Sequence, residues 1–337
     1  MASVQAKMAV FFLRKLRNRA FKLIDNLEDF RKDKEKVFAS VRCPRSVKIT
    51  NFELNGVKAA WFHPSNGRHP NQVVLYLHGG GYTSGSIKSH GGLIGKMAKE
   101  TGITHLAINY RLAPEHPFPA GLDDAINAYQ WLLEEEHYHP QDIIIMGDSA
   151  GGGLTLSTLL KLKAEKQPQP LAAVVISPWT DLTMSGDSAL NQPERDPILT
   201  VPKASEWAGW YGGDDLKNPL VSPLYGDLKG LPPILVQVGT EEILLSDSVR
   251  FAMKAALTDV DVSLDIWDDM PHVWHFFWQY VPESKAAIQK VVDYLDEKIE
   301  GVELPQPVKL SKRRLLKQLS YDSLQLGKAV LKKRILG

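Results

Sequence analysis

A short β-branched run, Ile143-Ile144-Ile145-Met146, ends in Gly147-Asp148-Ser149-Ala150-Gly151, and an apolar stretch from Leu154 to Lys161 follows closely. The run reads as a buried strand and the stretch behind it as a helix. Strand, sharp turn and helix are the context that a nucleophile elbow requires. At such a turn Ser149 sits in strained backbone with its hydroxyl lifted clear of the sheet. Gly147 and Gly151 keep Cβ atoms out of the crowded turn. The helix starts right after Ser149, so its free N–H groups point at any anion that forms there. A tight strand-to-helix turn with an incidental serine would give the same five residues, so the pattern needs support from elsewhere in the chain.

Two other segments supply that support. Val73-Val74-Leu75-Tyr76-Leu77 is a second apolar strand and runs into His78-Gly79-Gly80-Gly81. Acyl transfer places negative charge on a carbonyl oxygen, and backbone N–H groups stabilise it only from within hydrogen-bond reach. Successive glycines permit that approach and the positive φ it demands. Near the other end, Asp268-Asp269-Met270-Pro271-His272 offers a candidate base. His275 is its rival three residues on, but His272 follows a strand and a proline, which puts it on the loop where a base belongs. Nucleophile before base in chain order fits the α/β-hydrolase arrangement and neither of the two common protease orders.

The rest of the chain alternates strand and helix. Strands are predicted at Val47–Ile49, Val57–Phe62, Val73–His78, Thr104–Tyr110, Ile143–Met146, Leu171–Ser177, Ile234–Val238 and Val262–Trp267. Helices are predicted near 94–100, 122–135, 246–257 and 283–299. Continuously apolar strands between helices predict a mostly parallel sheet covered on both faces. The alternation lapses over about 183–228, a segment that carries Trp207, Trp210 and Tyr211 on a short predicted helix. Residues 1–45 read as a helical N-terminal segment with Phe12, Leu16, Phe21, Ile24 and Leu27 at helical spacing. Residues 46–301 then form the catalytic domain, and 302–337 a separate tail.

Charge sets the tail apart. The whole chain carries a formal +1, but Val308–Gly337 holds nine Lys/Arg and one acid, leaving −7 on the remainder. Leucines interleave with these cations at near-helical spacing, which suits an anionic bilayer surface. Peripheral membrane contact through 308–337 is therefore expected. No stretch approaches the roughly 20 apolar residues of a membrane span, and the single Cys43 excludes an internal disulfide. These features predict a cytoplasmic protein. No His/Cys cluster has metal-ligand spacing and no phosphate-binding loop or dinucleotide fingerprint occurs, so no metal, cofactor or nucleic-acid partner is expected.

Six segments in order carry a resemblance. They are His78-Gly79-Gly80-Gly81, Tyr110-Arg111-Leu112-Ala113-Pro114-Glu115, Gly147–Gly152, Ser177-Pro178-Trp179-Thr180-Asp181-Leu182, Asn218–Pro223 and Met270–Trp274. Together they resemble the hormone-sensitive-lipase family of α/β-hydrolase carboxylesterases, above all its bacterial-type members. The resemblance implies an eight-stranded sheet capped by the N-terminal segment and by an insertion after the sixth strand. It implies a small-molecule ester substrate, with short to medium acyl chains, and a homodimer formed through the last strand. It implies Ser149 as nucleophile, His272 as base, and backbone N–H groups of Gly79, Gly80 and Ala150 as the oxyanion hole. Many relatives carry Asp-Pro-Leu after the seventh strand, where this chain has Glu241-Glu242-Ile243-Leu244. Aligning Ile243-Leu244 with Pro-Leu makes Glu242 the acid, with Asp247 the alternative or else a cap for the next helix and Glu241 a third candidate. Arg111, Glu115, Asp148 and His78 read as structural. An amide deacetylase and a non-catalytic small-ligand receptor remain open on the same scaffold, because fold alone does not dictate chemistry.

Overall fold

A computed structural model describes residues 2–20 and 26–301. The predicted apolar positions Phe21 and Ile24, and the whole of 302–337, lie outside the described residues. The strands are β1 (Val47–Leu54), β2 (Val57–Pro64), β3 (Val73–Leu77), β4 (Thr104–Ile108), β5 (Ile143–Asp148), β6 (Ala172–Ile176), β7 (Ile234–Glu241) and β8 (Val262–Pro271). The helices are α1 (Val4–Ala20), α2 (Leu27–Phe38), α3 (Ile87–Thr101), α4 (Ala120–Glu134), α5 (Ala150–Ala164), α6 (Asp187–Asn191), α7 (Val201–Gly212), α8 (Leu245–Leu257) and α9 (Pro282–Glu300).

All eight strands join one sheet in the order β1-β2-β4-β3-β5-β6-β7-β8. Strand β2 alone runs against the direction of the other seven. This is the α/β-hydrolase fold, with the mostly parallel sheet that the continuous apolar strands predict. Strands β3, β5 and β6 are buried along their whole length because helices cover both faces. Alternate residues therefore feed two cores. Leu75, Leu77, Ile143, Ile145 and Val175 pack on one face, and Val74, Tyr76, Ile144, Met146 and Val174 on the other. Fully burying each such side chain stabilises the fold by roughly 1.5–3 kcal/mol before conformational entropy is counted.

Helix α3 begins seven residues before its predicted start. Ser86 caps it reciprocally with Ser89, each side chain accepting from the other's backbone N–H. A Ser at the third helical position in place of Glu or Gln hides this capping box from a pattern search. The N-terminal segment also departs from its periodicity. Phe12 is 55% exposed, and the residues of α1 that bury are Ala6 and Val10. Small side chains let α1 lie close against Met270, Trp274 and Ala287. Strand β8 forms one edge of the sheet. Between β6 and β7 the chain leaves the sheet for α6 and α7, where the alternation lapses. Among the described residues no helix is long and apolar enough to cross a membrane.

Candidate active site

The central strand β5 delivers Ser149 into a backbone conformation that L-residues avoid, with φ 55° and ψ −123°. Helix α5 starts at the next residue. The Ser149 N–H donates to Ile176 O at 2.8 Å, and its carbonyl accepts from Gly153 N at 3.1 Å and Trp179 N at 3.0 Å. These bonds hold the turn in place. A Cβ on Gly147 would strike the carbonyl of Gly151, and one on Gly151 would strike that of Leu77. The glycines of the motif are therefore a packing requirement of the turn.

The Ser149 hydroxyl lies 2.9 Å from Nε2 of His272, the first residue past β8. The other ring nitrogen, Nδ1, lies 2.8 Å from Oε2 of Glu242. Glu242 Oε1 accepts from Gly239 N at 2.7 Å and from the Ser177 hydroxyl at 2.9 Å. Ser177 in turn accepts from Val273 N at 3.2 Å, which ties the loop of the base to the loop of the acid. All three side chains of the chain are buried. Burial opposes a charge on His272, but the hydrogen bond and charge of Glu242, helped by Asp196 and Asp148, outweigh it and raise the imidazole above its ordinary 6.5. The pair can thus store a proton on His272 beside a fixed carboxylate.

Two sequence expectations meet a different geometry. The N–H of Gly79, expected in the oxyanion hole, points to Asp148 Oδ1 at 3.2 Å. Gly80 and Gly81 line the cleft beside Ser149 instead, and among the described residues neither N–H has a protein acceptor. Gly80 holds φ +127°, and a Cβ there would collide with the Ser84 carbonyl. Second, Asp247 is not near His272 in the hydrogen-bond chain. It sits inside α8 without capping it, and its carboxylate accepts from Thr180 N at 2.9 Å and Asp181 N at 2.8 Å. Burial and the neighbouring Asp181 push it up to about 8. The aromatic segment of α7 both packs and lines the cleft. Tyr211 stacks on Tyr82 with centroids 3.8 Å apart, whereas Trp207 faces the cavity.

The residues read as structural behave as such. Arg111 pairs with Asp124 at 2.8 Å and Glu115 with Arg31 of α2 at 2.6 Å. Asp148 accepts from the Tyr76 hydroxyl at 2.8 Å and faces His90 at 3.4 Å. The His78 ring stacks on Tyr110, and burial with the charge of His90 pulls it down to about 3. His275, the rival base, is buried with Nε2 against Gln237 Oε1 at 2.9 Å, away from Ser149. Among the described residues no group of three His, Cys, Asp or Glu side chains is placed to hold a metal ion.

A clamp around the acid escaped the sequence reading. Glu241, just before Glu242, is gripped by Arg14 of α1 at 2.7 Å and by Arg195 at 2.5 Å. Ile243, just after it, donates its N–H to Asp196 at 3.0 Å. Asp196 also accepts from Ile198 N and Leu199 N, and burial raises it to about 6 despite the opposing His272 charge. Arg14, Arg195 and Asp196 belong to no motif, and only the Glu241-Glu242 pair marks the place in sequence.

A cleft opens above Ser149 and His272. Phe38 from α2, Leu199 and Trp207 from the segment after β6, and Phe276 give it an apolar wall. Residues 74–276 match the family described as the alpha/beta hydrolase fold. An acetyl-hydrolase of Streptomyces hygroscopicus is 40% identical over 232 residues, covering 68% of this chain and 77% of its own. An esterase of Acinetobacter venetianus is 37% identical over 251 residues, covering 74% and 82%. The crystal structure of an esterase from the bacterial hormone-sensitive lipase family aligns with a TM-score of 0.84 at 39% identity, over 89% of this chain and 99% of that one. Sheet order, motif order and these similarities agree, and the chain belongs to the hormone-sensitive-lipase family of α/β-hydrolase carboxylesterases.

Proposed function

We propose that this chain cleaves carboxylic esters through an acyl-enzyme intermediate on Ser149, with His272 as general base and acid and Glu242 as its partner. The observation that carries the reading is the unbroken chain of hydrogen bonds from Ser149 through His272 to Glu242. Ser149 Oγ attacks the ester carbonyl as His272 Nε2 takes its proton, and the same proton then goes to the leaving alcohol. Water repeats the sequence on the acyl-enzyme. Glu242 keeps the imidazole oriented and stabilises its cation. The N–H groups of Gly80, Gly81 and Ala150 serve as oxyanion donors. Gly81 replaces Gly79 in this role because the Gly79 N–H is already bonded to Asp148. A receptor would have no use for this chain of bonds, and the named relatives are esterases and hydrolases.

Ser149→Ala should lower kcat on p-nitrophenyl esters by about 10⁴-fold or more, and Glu242→Gln by about 10³-fold. Asp247→Asn should leave kcat within about threefold and act on thermal stability, since its carboxylate bonds Thr180 and Asp181 and not His272. A larger kcat loss at Asp247 than at Glu242 would reverse the assignment of the acid.

The raised imidazole sets the pH profile. His272 must be neutral to accept a proton, so activity rises with pH as it deprotonates, and the rise in kcat/KM lies above the ordinary 6.5. Glu242→Gln removes the largest of the charges that raise it and leaves burial opposed only by Asp196 and Asp148, so the residual activity of that variant should rise at lower pH. An unchanged midpoint contradicts the pairing.

The cleft is walled by Phe38, Trp207 and Phe276, which supports acyl chains of short to medium length. In a series of p-nitrophenyl esters kcat/KM then peaks at such chains, and a maximum among long-chain esters overturns this.

The basic segment 308–337, with nine Lys/Arg against one acid, supports peripheral contact with anionic membranes. Each cation near such a surface contributes about 1 kcal/mol. The full chain should sediment with phosphatidylserine liposomes at low salt and lose binding when 308–337 is deleted. Failure to sediment, or binding unaffected by the deletion, refutes the contact.

A further inference from the structure

We propose that Lys34 recognises an anionic group that the substrate carries away from its scissile bond, so that the preferred substrates are esters bearing a second, negatively charged function. The inference deepens the esterase reading and rests on it. Lys34 stands on α2 and lines the same cleft as Ser149 and His272. Its Nζ lies 4.5 Å from the ring centroid of Phe30 and 4.7 Å from that of Trp207. Two rings on separate elements therefore hold the ammonium in place.

Ring faces fix the position of a cation without neutralising it, and no carboxylate does so here. The other charged groups along the cleft are already engaged. Glu35 pairs with Lys88 at 2.8 Å and accepts from the Ser86 hydroxyl at 3.0 Å. Asp148 has its oxygens committed to Tyr76, Gly79 and His90. The neighbouring cation, Lys203 of α7, pairs with Glu206 at 2.5 Å. Among the described residues Lys34 has no ion-pair partner. Burial, with the like charge of Lys203, lowers its ammonium to about 8, which leaves it charged at neutral pH and favours an entering counter-charge. A carboxylate or phosphate on the substrate supplies that charge inside a cleft where screening is weak.

The anionic group can sit on the acyl or the alcohol side, and paired substrates separate these. On the acyl side, the p-nitrophenyl monoester of glutaric acid is compared with p-nitrophenyl pentanoate, its neutral equal in chain length. On the alcohol side, 4-acetoxybenzoate is compared with its methyl ester. The ratio of kcat/KM, anionic over neutral, is measured for the wild type, Lys34→Met and Lys34→Arg. In at least one pair the wild type should favour the anion, with the ratio falling about tenfold in Lys34→Met and largely kept in Lys34→Arg. A merely structural lysine would change both members of a pair alike and leave the ratio still. No preference in either pair, or a preference that persists in Lys34→Met, overturns the proposal. If Lys34→Met does not fold, Lys34→Gln, which also removes the charge, is measured in its place and the same two outcomes decide. Failure of the wild type to cleave either neutral ester removes the esterase reading as well, whereas neutral cleavage without preference removes Lys34 alone.

Discussion

The positive φ of Ser149 is the constraint on which the rest of the structure depends. A serine in this conformation costs of order 1–3 kcal/mol, and it persists only where the surroundings leave no alternative. Those surroundings are the buried strand β5 on one side, helix α5 on the other, and three backbone bonds to Ile176, Trp179 and Gly153. Relaxing the turn would unseat α5 from the core. In return the strain sets the serine hydroxyl 2.9 Å from His272, a residue from the far side of the sequence.

The second requirement is that buried polar groups find partners, since each unmet one costs about 1–3 kcal/mol. Asp148, beside the nucleophile, is enclosed, yet it bonds Tyr76, Gly79 and His90, and against its burial the charge and hydrogen bond of His90, with the Tyr76 hydroxyl, hold it below the usual carboxylate range. In doing so it fixes the first glycine of the run and leaves the next two facing the cleft. Glu242 is enclosed as well and is met by Gly239, Ser177 and His272. Its neighbours in sequence are held from outside the sheet by Arg14, Arg195 and Asp196. Helix α1 and the segment after β6 thus brace the acid, and that segment borders the cleft together with α2.

Much of this was legible in the sequence because it is local. An elbow, a glycine run and a strand ending in Pro-His each impose their geometry over a few residues, so Ser149, His272 and the sheet could be read in advance. Glu242 needed the family pattern, because no local rule separates it from Asp247. What stayed hidden depends on residues far apart. Which glycine of three faces the cleft is decided by a bond to Asp148, 69 positions away. Asp247 is drawn from its expected capping role by the N–H groups of Thr180 and Asp181. Phe12 fits a helical stripe, yet Ala6 and Val10 are the side chains small enough to let α1 dock. Lys34 is one lysine among many until Phe30 and Trp207 close around it.

The central claim is that one activated serine forms a covalent acyl-enzyme. The most direct measurement is mass spectrometry of the protein after incubation with diethyl p-nitrophenyl phosphate, an ester of an organophosphate whose phosphoryl group stays on an activated serine. One diethylphosphoryl adduct per chain is expected, mapped by peptide sequencing to Ser149, with esterase activity lost in step with labelling. An unlabelled Ser149 in a fully inactivated protein, or full activity with Ser149 labelled, would contradict it.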